Sequence, residues 1–142
     1  MTTEIRKKLS ANDVGETGGH QAGILVPKEE EILSFFPSLE RAEKNPRITL
    51  VMRERRDGAR WNFNFIYYNN RFFGGTRNEF RLTCMTQYLR ATGAKVGDDL
   101  VFSKDENASY TVDLVRSSTT SNSISSNGML VLSGGWKVIN TR

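Results

Sequence analysis

Hydrophobic and polar positions alternate with a period of two over several short stretches of this chain. RITLVMRER (47–55) puts Ile48, Leu50 and Met52 on one side and Thr49, Val51 and Arg53 on the other. RWNFNFIYY (60–68) repeats the pattern, with Trp61, Phe63, Phe65 and Tyr67 against Asn62, Asn64 and Ile66. RRDGAR lies between the two stretches, so they predict a hairpin. The ring stripe reads as barrel core; the competing reading, a platform for stacked bases, requires exposed rings. AGILVP (22–27) predicts a short strand ended by Pro27. EFRLTCM predicts another, after a turn at Asn69-Asn70. GDDLVFSKD, YTVDLVR and MLVLSGGWKVI predict three more strands or strand pairs.

Two stretches read as helix instead. KEEEILSFFPSL (28–39) loads acids into its first turn, where the helix dipole favours them, and Pro37 stops it. TQYLRATG (86–93) ends at Gly93. LSANDVGETGGHQ (9–21) is polar and holds three glycines, so it predicts a long loop or arm. RSSTTSNSISSNG (116–128) is Ser-rich and predicts a flexible loop. The total is about seven strands and two short helices: a mainly β fold, closer to a small open barrel than to a layered α/β architecture.

The 142 residues suffice for one domain with its own core. No apolar run approaches membrane-spanning length, and MTTEIRKKLS lacks the apolar core of a signal peptide, so the expected location is the cytoplasm. A single Cys84 forms no internal disulfide, and with His20 as the one histidine the chain builds no zinc finger. The formal net charge is +4, but its distribution is uneven. Residues 47–81 hold eight basic side chains, all arginine, against Glu54, Asp57 and Glu79, a local net of +5; the remainder nets −1. Arginine's planar fork suits phosphates and guanine edges. A salt-bridged, solvated sheet face would account for the same charges.

Tests for enzyme chemistry find little. Asp98-Asp99 is the one adjacent aspartate pair, and no lysine stands at the offset a metal-dependent nuclease uses. Asp98 is better read as a turn or cap before the following strand. GETGG lacks the Lys-Ser/Thr ending of a phosphate-gripping loop. His20 has no visible nucleophile or acid partner. No catalytic set, metal site or cofactor site is predicted for the chain.

RFFGGTRNEFR (71–81) poses a sharper question, because Glu79 stands among arginines. Phosphate binding alone would disfavour that carboxylate. Base readout would use it: guanine offers two acceptors in the major groove, and cytosine offers an amino donor. Arg77 suits the first, Glu79 the second, and Asn78 suits adenine. A surface ion pair of Glu79 with Arg77 or Arg81 is the plain alternative, and the residues leave both open. Gly74-Gly75 allow a sharp turn before these side chains. Arg53, Arg55, Arg56 and Arg71 are candidates for phosphate contacts that set register. The glycines of GETGGHQ would let the first arm enter a groove and bring Asn12, Asp13 and His20 to base edges.

KKLSANDVGETGGHQAGILVP (7–27) and IYYNNRFFGGTRNEFRLT (66–83) resemble the N-terminal effector-binding domain of EcoRII-type restriction endonucleases, a group of DNA-binding pseudobarrels that includes plant B-three domains. GDDLVF (97–102) is similar to a segment common across that group. The resemblance implies a seven-stranded open barrel with two helices and two arms, Lys8 to Gln21 and Arg71 to Thr83, that clasp the major groove. It implies His20, Arg77, Glu79 and Arg81 as readers, with Lys7, Lys8, Ser10, Gln21 and Thr76 added to the backbone contacts. The partner implied is double-stranded DNA, with cleavage left to a separate, Mg2+-dependent nuclease domain or subunit. In the EcoRII type the site is CCWGG. Gly75 and Phe80 stand where that type has lysines, and Leu25 where it has a tyrosine, which implies an altered site or weaker phosphate attraction. Competing readings are a transcription-factor-like DNA binder, a self-contained nuclease, and a single-strand or RNA binder that uses the ring stripe.

Overall fold

The computed structural model describes residues 2–15, 23–117, 129–131 and 135–141. Its strands are β1 (Thr2–Lys8), β2 (Ile24–Val26), β3 (Arg47–Glu54), β4 (Arg60–Tyr68), β5 (Glu79–Thr83), β6 (Asp99–Lys104), β7 (Tyr110–Val115), β8 (Met129–Val131) and β9 (Trp136–Thr141). The helices are α1 (Glu30–Leu33) and α2 (Thr86–Thr92), and a 3-10 turn covers Asn70–Phe73. All nine strands join one sheet in the order β2-β5-β4-β3-β7-β6-β1-β9-β8. Every pairing is antiparallel except β3 with β7.

The sheet curls around its core, and among the described residues no ladder closes it. Where its ends approach, the buried Trp136 of β9 donates its indole N–H to the Leu25 carbonyl of β2 at 3.1 Å. One side-chain hydrogen bond thus stands where a closed barrel would have a row of backbone bonds, which makes this an open pseudobarrel.

The predicted hairpin forms, with Leu50 opposite Phe63 and Met52 opposite Trp61. Its ring stripe is core: Phe63, Phe65 and Tyr67 are buried, Trp61 is partly buried, and Tyr67 stacks on Phe80 with centroids 4.2 Å apart. These rings offer no platform for single-stranded bases. In β3 the inward row is Leu50, Met52 and Glu54, while Ile48 lies exposed. Glu54 is tolerated inside because the Tyr88 hydroxyl and the Arg56 backbone N–H both donate to it.

Two expectations need correction. Nine strands replace seven among the described residues. β1 escapes the pattern because Ile5 is its one buried apolar residue; its place is set by partners β6 and β9 rather than by alternation. MLVLSGGWKVI forms two strands, β8 and β9, and Gly135 stands at φ +83° just before the second. The helix expected over 28–39 is a single turn. The N–H groups of Phe35 and Phe36 bond three residues back, to Ile32 and Leu33, and Pro37 disfavours helical backbone at the residue before it. Phe36 then stacks on Phe65 at 4.5 Å. α2 forms as predicted, with Gly93 in the left-handed conformation at its end. The Ser-rich stretch from residue 118 to 128 lies outside the described residues.

Candidate nucleic-acid interface

Alternation fixes what the outer face of the β5-β4-β3 region displays. Phe80 and Leu82 take the core side of β5, so Glu79, Arg81 and Thr83 point outward. Phe80, which stands where the EcoRII type has a lysine, therefore lies on the core side. Register aligns the outward residues in rows: Leu25–Arg81–Ile66–Arg47, then Thr83–Asn64–Thr49, with Glu79–Tyr68 at one end. Adjacent strands lie ~4.8 Å apart, so the Cα atoms of Arg81 and Arg47 stand roughly 10 Å apart across Ile66. The Thr49 hydroxyl donates to Asn64 Oδ1 at 2.8 Å, which orients that amide.

The second arm is held by its own hydrogen bonds. Buried Asn69 accepts from the Asn45 N–H at 2.7 Å and donates to the Glu43 carbonyl at 2.8 Å, fixing the loop to the 40–46 connector. Asn70 Oδ1 accepts from the Arg77 N–H at 2.7 Å, and the Arg71 N–H donates to the Arg77 carbonyl at 2.9 Å. Gly74 turns the chain at φ +92°, and a Cβ on Gly75 would lie 2.5 Å from Asn70 Oδ1. The two glycines thus permit the turn and the close approach expected of them. The Tyr67 hydroxyl donates to Asn78 Oδ1 at 2.7 Å.

Three reading candidates form one linked set. The Arg77 guanidinium lies 3.8 Å from the Tyr68 ring centroid and donates to Glu79 Oε2 at 2.8 Å. Arg81 donates to the same oxygen and, at 3.0 Å, to the Gly23 carbonyl where the first arm rejoins the sheet. Burial alone would raise the Glu79 pKa; hydrogen bonds from Arg81 and Arg77, with their charges, outweigh it and hold the carboxyl below the usual range. The ion pair expected as the plain alternative is present. Both arginines converge on Oε2, and no hydrogen bond to Oε1 occurs among the described residues.

The first arm starts from a tight turn. Asp13 Oδ2 accepts from the Ser10 N–H at 2.9 Å and pairs with Lys7 Nζ at 3.0 Å, while the Asp13 N–H donates to Ser10 Oγ at 3.2 Å. Lys7 is buried, so this candidate phosphate contact is engaged inside the arm. Asn12 and Lys8 are exposed. His20 and Gln21 lie outside the described residues.

Between the arms lies a hollow of about 430 Å³ whose lining includes Asp13, Arg47, Asn64, Tyr68, Arg77 and Cys84. It unites the first arm with the second. Arg71 and Thr76 are exposed on the second arm. Arg53, Arg55 and Arg56 are not brought to it, because they sit at the far end of the hairpin. Arg55 donates to Ser103 Oγ at 2.5 Å and lies 3.8 Å from Glu4; Arg56 lies 3.5 Å from Glu54 and 3.6 Å from Asp113. Arg47, Asn64, Tyr68 and Cys84 were missed as site residues. Strand parity carries the signal: outward positions of β3 and β4 share a face with Glu79 and Arg81.

Asp98 takes the turn role expected of it. It accepts from the Lys95 N–H at 2.9 Å and the Ser117 N–H at 2.8 Å, and pairs with Arg116 at 3.3 Å. Among the described residues no group of His, Cys, Asp and Glu is arranged to hold a metal ion, and no helix is long and apolar enough to cross a membrane.

Comparison with known proteins places these features in context. Residues 2–106 match the family model described as restriction endonuclease EcoRII, N-terminal. The type II restriction enzyme EcoRII of Escherichia coli is 41% identical over 95 residues, which is 62% of this chain and 23% of that enzyme. The chain thus spans under a quarter of that relative. Two solved structures share the fold. The Arabidopsis FUS3–DNA complex gives a TM-score of 0.60 at 22% identity, covering 80% of this chain and 96% of that one. The UbaLAI restriction endonuclease B3 domain with cognate DNA gives 0.57 at 22% identity, covering 83% and 70%.

Proposed function

Because this chain belongs to the EcoRII N-terminal family of restriction endonucleases, we propose that it binds a short specific site in double-stranded DNA through the major groove. It acts as the recognition or effector-binding unit of a type II endonuclease in the bacterial cytoplasm. Cleavage, and the Mg2+ it needs, belongs to a separate nuclease domain or subunit.

One observation carries the reading: Arg77 and Arg81 both bond Glu79 through the same oxygen, Oε2, on a loop fixed by Asn69 and Asn70. A patch built for phosphate would gain nothing from that carboxylate. A reader of G·C pairs gains an acceptor for cytosine beside donors for guanine. Among the described residues the remaining Oε1 accepts no hydrogen bond, and the arginines arrive with their geometry largely set, so little side-chain entropy is lost on binding. Asn12, Asp13 and His20 of the first arm, with Asn78 of the second, complete the candidate readers. Arg47, Arg71, Lys8, Ser10, Gln21 and Thr76 supply phosphate contacts that set register. The site read is G·C-containing and related to CCWGG.

Selection of bound duplexes from a random pool, at fixed and stated salt, tests this. A sharp motif containing G·C pairs is the expected result. A pool that stays random after several rounds would refute specific readout.

A further inference from the structure

At the end of the hairpin remote from the arms, Arg53 and Arg60 stand directly opposite each other across β3 and β4. Both are exposed. Like charges facing each other across a strand pair are destabilising. Arginines on nearby strands and the hairpin turn are matched: Arg55 and Arg56 reach Glu4, Glu54 and Asp113, and Arg6 reaches Glu4 and Asp99. Among the described residues neither Arg53 nor Arg60 has a carboxylate within salt-bridge distance. The outward row that joins them to the arms consists of Arg47, Thr49 and Val51 on β3 and Asn62, Asn64, Ile66 and Tyr68 on β4, without an acid. Arg53 and Arg60 also line an open hollow of about 340 Å³ with Val51, Ala108, Ser109 and Tyr110.

We propose that the Arg53–Arg60 pair is a second DNA-backbone site, which holds the duplex flanking the sequence read by the arms. It rests on the DNA-binding reading above and extends it. Six residues of β3 separate Arg47 from Arg53, roughly 20 Å at ~3.3 Å per residue. At ~3.4 Å per base pair, that distance is about six base pairs of duplex. The occupant is double-stranded DNA because the strip is continuous with the arm hollow, has only arginines as charged side chains, and at roughly 20 Å spans several phosphates of a duplex rather than one small anion.

The test titrates the full chain with two duplexes that carry the selected site. One ends at the site; the other extends about ten base pairs on each side. The wild type is expected to bind the long duplex more tightly and with a steeper salt dependence. The double variant Arg53→Gln/Arg60→Gln should lose about 1.8 from the log–log salt slope on the long duplex, ~0.9 for each phosphate released. That corresponds to roughly tenfold less change in affinity between 50 and 200 mM salt. On the short duplex it should match the wild type. Arg53→Lys/Arg60→Lys should restore the slope, and thermal melting of the Gln variant should be no lower than wild type, because a repulsion has been removed. Equal slopes for wild type and Gln variant on the long duplex would overturn the inference and leave this face to another partner, such as an acidic protein surface. Loss of sequence discrimination by the wild type on the short duplex would instead sink the arm reading, so the two failures are distinct.

Discussion

Replacing Glu79 by glutamine changes charge at nearly constant shape, and its effects in the free and bound states can be separated. In the free protein the carboxylate ties Arg77 and Arg81 through one oxygen. These ion pairs are partly solvent-exposed, so their loss should cost at most ~1 kcal/mol of stability. On the proposed reading, the carboxylate in the bound state accepts from a cytosine amino group, a contact worth about 1–3 kcal/mol of discrimination. By the usual conversion of 1.4 kcal/mol per decade, Glu79→Gln should lower the preference for that cytosine by about 5- to 150-fold. Binding to unrelated duplex should move the other way. The arm gains one net positive charge, and the salt slope on random DNA should steepen by up to ~0.9. Fluorescence anisotropy titrations of matched and scrambled duplexes, from 50 to 200 mM salt, measure both effects. A variant that keeps the wild-type preference and the wild-type slope would show that Glu79 is a surface ion pair and nothing more.

Other consequences are equally direct. Cys84 is the sole cysteine, is exposed and lines the hollow between the arms, so bound duplex should slow its alkylation severalfold; equal labelling rates with and without DNA would place the duplex elsewhere. Tyr88→Phe removes the hydroxyl that bonds buried Glu54, and should cost ~1–3 kcal/mol, lowering the melting temperature while base preference stays unchanged. For Asp98, burial alone would raise the pKa, but the Ser117 and Lys95 N–H groups and Arg116 outweigh it and hold the carboxyl low. Its stabilisation is therefore complete above the ordinary carboxylate pKa, about 3.9, and is lost as pH falls through the lowered folded value. Asp98→Asn should then be ~1.5–3 kcal/mol less stable than wild type at neutral pH, with the gap closing in acid; a gap constant down to pH 2 in chemical denaturation would contradict the assignment.

Much of this was legible in the residues because strands encode their faces. The period-two runs of β3, β4 and β5 give the hairpin, the buried ring stripe and the outward side of Glu79 and Arg81 without further information. The glycines of the second arm announce a turn, and Gly74 occupies the left-handed region they imply. Legibility stops where partners rather than pattern decide. β1 has one buried apolar residue and owes its place to strands far along the chain. The arginine-rich composition of 47–81 was equally blind to destination. Arg47 faces the arms, Arg53 faces Arg60, and Arg55 and Arg56 are absorbed by acids from other strands. Only cross-strand register separates these roles, and composition contains no register.

The position of β1 has a consequence for how the molecule assembles. Ile5 pairs with Phe102 on one side and Val138 on the other, roughly 100 and 130 residues further along. β1 therefore waits for neighbours made long after it, and long loop closures precede any reward for them. Refolding should be slow for a chain of this size, and until β9 arrives the β1–β6 edge stays bare, open to pairing with another nascent copy.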